Sequence, residues 1–190
     1  DSGTMRILGR EYGNLTPKGA QEAGVAIIHQ ELNMCQHLTV AQNMFLGREP
    51  MKGIQIDSRR MREDCRKYLK KLHFDIDPDT VVGELAVSKQ QIVEIAKALS
   101  LNAKILIMDE PTRGIDVGAK YEIYELMEKL AHEGKCVIMI SSEMPELMGM
   151  SDRIMVMCEG HNSGIVEGSD INDEKIMLLA STYKPEETGK

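Results

Sequence analysis

Aromatic side chains are nearly missing from this sequence: its 190 residues hold no tryptophan, 2 phenylalanines and 5 tyrosines. Any core must be built from aliphatic residues and from the 14 methionines, whose flexible thioethers act as malleable filler. Basic charge is also short, with 23 Lys and Arg against 30 Asp and Glu and a formal net charge of −7. That balance argues against a nucleic-acid groove or an anionic lipid surface, since both need clustered positive charge; phosphate binding, if present, has to be local. No apolar run approaches the ~20 residues of a membrane span, and no secretory signal opens the sequence. Membrane association would have to come through a partner. Cys35, Cys65, Cys136 and Cys158 form no Cys-x-x-Cys pair, so neither a zinc site nor a disulfide framework is written. Reduced, buried thiols in a cytoplasmic protein are expected.

What is present centres on Ile105-Leu106-Ile107-Met108-Asp109-Glu110. An apolar run without alternation predicts a strand buried on both faces, central and parallel. In open parallel sheets the ligand crevice lies beyond the carboxyl ends of the strands, so Asp109 and Glu110 would arrive together at its rim. Neighbouring strand residues point to opposite sides. One carboxylate can then hold a metal shell while the other faces a water, a division suited to phosphoryl transfer.

Ile105 to Thr112, followed by Gly114-Ile115-Asp116, resembles the Walker B strand and D-loop of ATP-binding cassette (ABC) ATPases. Arg113 to Lys120 resembles the second cassette of tandem-cassette ATPases that power bacterial sugar importers of the ribose, galactose or xylose type. The resemblance implies an α/β, P-loop NTPase-like cassette with a mostly parallel central sheet and a helical subdomain, and ATP and Mg²⁺ as cofactors. It implies Asp109 as a Mg²⁺ ligand, Glu110 as the residue polarising the attacking water, and Asp116 as a nucleotide-binding residue. It further implies sugar permease membrane subunits and a second cassette as partners, with a periplasmic or extracellular sugar-binding protein engaged indirectly. ATP hydrolysis would then drive carbohydrate uptake at the cytoplasmic face of the cell membrane.

Along the chain, Met5 to Leu8 reads as a short strand cut close to its start. Thr16-Pro17 and Gly24 bracket a short helix, and Val25 to His29 is a compact apolar strand. Gln30 follows it; by resemblance it is the Q-loop glutamine, whose amide oxygen can join the Mg²⁺ shell while the next loop touches the membrane subunit. Thr39 and Gln42 write a capping box, opening a helix that Gly47 and Pro50 close. Asp57 to His73 carries Met61, Cys65, Tyr68, Leu69 and Leu72 at helical spacing, and its cluster of Arg and Lys reads as a solvated face. Leu85 to Gln91 precedes an amphipathic helix. By resemblance, Ala86, Val87, Ser88, Lys89 and Gln90 occupy the family's Leu-Ser-Gly-Gly-Gln signature, whose hydroxyl and backbone amides grip an ATP phosphate held by the opposite cassette. Ala86 removes the hydroxyl, and Ser88 adds a side chain where a glycine lets the backbone come close.

Val117 to Glu133 is helical, with Ile123, Tyr124, Met127, Leu130 and Ala131 inward and Gly134 as a stop. Cys136 to Ser141 is the next buried strand, parallel to the first. Ser142 stands at the switch position, where most of the family has a histidine and sugar-importer second cassettes read Ser-Ser-Glu-x-Pro-Glu. Two short strands follow, over Arg153 to Cys158 and Gly164 to Val166, then a helix capped by Asn172. The whole reads as one partial domain: about 50–100 a helical signature subdomain, 101–182 the Walker B, D-loop and switch region, and 183–190 a polar tail.

No Gly-x-x-x-x-Gly-Lys-Ser/Thr occurs in these 190 residues; the resemblance places that P-loop segment upstream of Asp1. Residues 1–100 resemble a first cassette and Arg113 onward a second, as if fused within the shared stretch. Three functions follow: the ATPase subunit of a sugar importer, a truncated cassette remnant without nucleotide binding, or a soluble ABC ATPase of translation or DNA repair.

Overall fold

In the computed structural model residues 3–182 are described, and the polar tail predicted at 183–190 lies outside them. The chain divides into two compact units after Ile140.

The first unit opens with a hairpin, β1 (Met5–Ile7) and β2 (Arg10–Tyr12). Leu8 and Gly9 take φ of 48° and 81°, the double positive φ of a tight hairpin turn, so the strand predicted through Leu8 stops at Ile7 and turns back. Helix α1 (Pro17–Glu22) has the expected cap, with Thr16 Oγ1 accepting the Gly19 N–H. Strand β3 (Val25–Ile28) follows, then α2 (Val40–Phe45), where both halves of the Thr39/Gln42 capping box form. A small hairpin, β4 (Met51–Lys52) and β5 (Gln55–Ile56), turns at Gly53 and was not anticipated. Helix α3 (Ser58–Lys71) buries Met61, Cys65 and Leu69, while Arg59, Arg60, Arg62 and Arg66 pair outward with Glu63, Asp64, Asp79 and Asp77. Its basic cluster is therefore a solvated, ion-paired face.

Next come α4 (Val87–Ser100), β6 (Ile105–Asp109), α5 (Val117–His132) and β7 (Cys136–Ile140). On α5 the inward residues are Ile123, Leu126, Met127 and Leu130; Tyr124 is half-buried, and Ala131, expected inward, is exposed. The central sheet runs β3-β6-β7 with both pairs parallel, aligning Ile28 with Met108 and Met108 with Met139. Helix α4 packs on β3 and α5 on β7. They cover one side, where Leu106 and Met108 are 0% exposed. On the other side Ile27, Ile138 and Ile140 are 51%, 45% and 51% exposed. The predicted double-sided burial of β6 and β7 is thus corrected to burial on one face, because helices lie against only that face. The thiols are also corrected: all four are free, but only Cys65 is buried, while Cys35 and Cys136 are exposed and Cys158 is half-buried. Methionine as filler holds at Met44 and Met108, both fully buried.

The second unit contains α6 (Met144–Met150), β8 (Arg153–Cys158), β9 (His161–Glu167) and α7 (Asp173–Ser181). The hairpin β8-β9 buries Ile154, Val156 and Val166 against Ile176 of α7. Gly164 allows that approach, since a Cβ there would lie 3.0 Å from Leu179. Asn172 caps α7 as predicted. Among the described residues no helix is long and apolar enough to cross a membrane.

Candidate functional site

The carboxyl edge of the parallel sheet is built by register. Ile28 sits beside Met108, so Gln30, two residues past Ile28, and the Asp109-Glu110 pair leave their strands at the same edge. Asp109 ends β6 on the open face, half-buried. Glu110 departs from strand geometry altogether, with φ of 47°. Its backbone N–H donates to the Ile140 carbonyl at 2.8 Å, pinning the first residue after β6 to the last residue of β7. A non-glycine residue in the left-handed region costs on the order of 1 kcal/mol or more and persists only where its surroundings impose it.

Those surroundings are a compact turn. Arg113 N–H returns to the Glu110 carbonyl at 3.1 Å and Ile115 N–H to the Thr112 carbonyl at 3.2 Å, with Pro111, Thr112 and Ile115 buried beneath. Gly114 takes φ of 75°, which a side chain would oppose. Asp116 ends the turn as the N-cap of α5, its Oδ1 accepting the Ala119 N–H at 3.1 Å. The carboxylate that the resemblance assigns to nucleotide binding serves as a helix cap in this structure.

The signature residues stand at the start of α4. Ala86 occupies the N-cap position and offers no side-chain bond, Val87 and Lys89 are exposed, and Ser88 is half-buried. Gln90 faces inward: its Nε2 donates to the Leu85 carbonyl at 2.9 Å and its Oε1 accepts from Gln36 Nε2 at 3.3 Å. Ser142 belongs to the second unit, exposed in the turn before α6. Beside it the Ser141 hydroxyl donates to Glu146 and accepts the Glu143 N–H.

Two polar residues that the sequence reading passed over organise the loop beyond Gln30. Asn43, 1% exposed, accepts the Cys35 N–H and donates to the carbonyls of Cys35, Leu38 and Thr39. Glu94, 8% exposed on α4, accepts the Asn33 N–H at 2.9 Å. Burial pushes the Glu94 carboxyl up, opposed by the Asn33 bond and by Lys97 and His29. The one signal available was a charge set inside the run Ile92-Val93-Glu94-Ile95-Ala96.

Mg²⁺ takes few protein oxygens and keeps several waters. Asp109 and Gln30 offer one carboxylate and one amide oxygen at a common edge, a donor set of that kind. The phosphates of ATP find no P-loop cradle in these 190 residues.

The ABC transporter family model matches residues 1–113, more than half of the chain. A putative ribose/galactose/methyl galactoside import ATP-binding protein of Burkholderia cenocepacia is 41% identical over 181 residues, covering 94% of this chain and 35% of the relative. The ribose import ATP-binding protein RbsA of Geobacillus kaustophilus is 40% identical over 181 residues, with 94% and 37% covered. The chain therefore spans about a third of the length of the curated relatives it matches, and each match is a single stretch of 181 residues. Among solved structures, a nucleotide-free ATP-binding cassette superposes with a TM-score of 0.74 at 22% identity, covering 92% of this chain and 71% of that one. The ADP conformation of another cassette gives 0.72 at 24%, with 90% and 70% covered. With its fold matched to cassettes and its sequence to the family, this chain belongs to the ABC transporters.

Proposed function

We propose that the chain is part of the ATP-binding subunit of a sugar importer, coupling ATP hydrolysis to carbohydrate uptake at the cytoplasmic face of the membrane. The observation that carries this reading is the delivery of Asp109 and Glu110, one still in strand geometry and one forced out of it, to the carboxyl edge they share with Gln30. In this reading Asp109 and Gln30 hold Mg²⁺, which would neutralise charge on the transferring phosphate. Glu110 orients a water and takes its proton at the carboxylate. Residues Ala86 to Lys89 and Asp116 face a nucleotide shared with a second cassette, Gln90 braces their turn from beneath through the Leu85 carbonyl, and Ser142 serves as a hydroxyl donor at the switch position. The loop after Gln30 meets a sugar permease, which in turn receives substrate from a sugar-binding protein.

A second reading is a module that folds without holding nucleotide, favoured by the lack of a P-loop motif in these residues. A P-loop supplies several charge-assisted hydrogen bonds at about 1.5–3 kcal/mol each. Without them Mg-ATP should bind this chain more weakly than about 100 μM, against which only ~5.5 kcal/mol is needed. To test the first reading, a strand–P-loop–helix segment of a ribose import ATP-binding protein is fused ahead of residue 1 and steady-state ATP turnover is measured. Glu110→Gln should lower turnover by about 10²–10⁴ while nucleotide binding is retained. Equal turnover in parent and variant would remove Glu110 from catalysis.

A further inference from the structure

The loop that follows Gln30 is fastened on two sides, and the fastenings differ in kind. Asn43 bonds only to residues four to eight positions away, which fixes the loop's internal shape. The bonds that fix its place in the molecule reach much farther along the chain. Asn33 N–H donates to Glu94 across 61 residues, and Gln36 Nε2 donates to Gln90 across 54. Gly83 N–H donates to the Gln36 carbonyl at 3.0 Å, and a Cβ at Gly83 would stand only 2.9 Å from that oxygen. The loop therefore lies close against the segment leading into α4 and against α4 itself.

Of these anchors Glu94 alone carries a charge, and it does so where charge is costly. Its helix neighbours Val93, Ile95 and Ala96 are 0% exposed. A leucine or methionine would pack there without desolvating a carboxylate. What an apolar residue could not do is accept the Asn33 N–H, the one long-range bond made by the loop's backbone to this helix.

We propose that Glu94 is a positioning residue that holds the loop from Gln30 to Gln36 against the N-terminal half of α4, keeping Gln30 in fixed relation to Ala86–Gln90. Its importance for transport rests on the function proposed above; its geometry does not. The charged groups facing it are Lys97 on its own helix and His29 at the end of β3, with Lys18 of α1 lining the same cleft of about 400 Å³. A neutral glutamine keeps the acceptor, whereas methionine removes it and keeps the volume.

The test uses the full ¹⁵N-labelled chain, recording amide exchange over residues 30–36 and the Asn33 amide shift as a function of pH. In the parent, Asn33 should exchange at least about tenfold more slowly than in Glu94→Met and within about threefold of Glu94→Gln. Exchange at 105–109 should stay unchanged in all three. The Asn33 shift should titrate in the parent with an inflection above the ordinary glutamate value of ~4.3, and that inflection should vanish in Glu94→Gln. Equal loop exchange in the parent and Glu94→Met, with 105–109 protected in both, overturns the proposal, as does a parent Asn33 shift without that inflection. Should Glu94→Met lose protection at 105–109, the comparison of parent and Glu94→Gln titrations decides. None of these readouts involves nucleotide or sugar, so failure of the importer reading would leave them untouched.

Discussion

The two faces of the central sheet are made from the same kind of residue and have opposite fates. Leu106 and Met108 are sealed beneath α4 and α5, while Ile27, Ile138 and Ile140, one residue out of phase, are about half exposed. Apolar composition is therefore a permission for burial and not a cause of it; the cause is whether a helix is laid across that side. Asp109 and the edge used by the proposed chemistry belong to the open side. The sealed side supplies stability, and under the function proposed above the open side carries the chemistry.

Thiol chemistry gives the widest contrast between covered and open regions. Cys65, packed against Met44 within the helical region, has its thiol pushed up to about 12 by burial, so only about one part in 10⁴ is thiolate at pH 8. Cys136 begins β7 on the open face. Labelling with a maleimide, read by mass spectrometry of peptides, should be at least about 10³-fold faster at Cys136; comparable rates would mean the helical region opens freely.

Core truncation comes next. Leu106→Ala should cost about 2–5 kcal/mol in urea unfolding, whereas Ile138→Ala should cost under about 1 kcal/mol. Equal losses would show that the open face is covered in solution. A third measurement asks what that face does when nothing covers it. The weight-average mass of the parent in sedimentation should rise with concentration, and Ile138→Thr combined with Ile140→Thr should suppress the rise.

The smallest effect is electrostatic. Because burial raises the native pKa of Glu94, the folded chain holds this proton more tightly than the unfolded one. Its contribution to stability therefore grows as pH falls through the raised native value toward the ordinary ~4.3, and is lost as pH rises again. The difference in urea midpoint between parent and Glu94→Gln should shift in the parent's favour from pH 7 to pH 5; a pH-independent difference would contradict it.

Local chemistry explains which features the sequence disclosed. Thr16, Thr39, Asn172 and the strands Val25–Ile28 and Ile105–Asp109 could be read directly, because a cap or an apolar run is complete within a few residues. The placement of Asp109 and Glu110 at a strand end was legible for the same reason, as charges ending such a run. The bond from Asn33 to Glu94 was not, since 61 residues separate its halves and neither half repeats with any period. One-sided burial was equally hidden: Ile107 and Leu106 read alike until the position of the helices is known. The hairpin at Gly53 is too short to show an alternation.

The left-handed backbone at Glu110 places that position under two opposed demands. Glycine, which adopts this conformation freely, would relieve about 1 kcal/mol of backbone strain, offset in part by the entropy a glycine loses on folding, but would remove the carboxylate and the contact it makes. A library of variants selected for heat resistance alone should accordingly favour glycine at 110, with asparagine behind it, and every winner would lack the carboxylate on which the function proposed above depends. Under that proposal, the same library selected for ATP turnover in the P-loop fusion should discard them all. Set beside that second selection, a thermal screen thus tests the role proposed for this one residue, because it shows whether the chain keeps a conformation that folding by itself would give up.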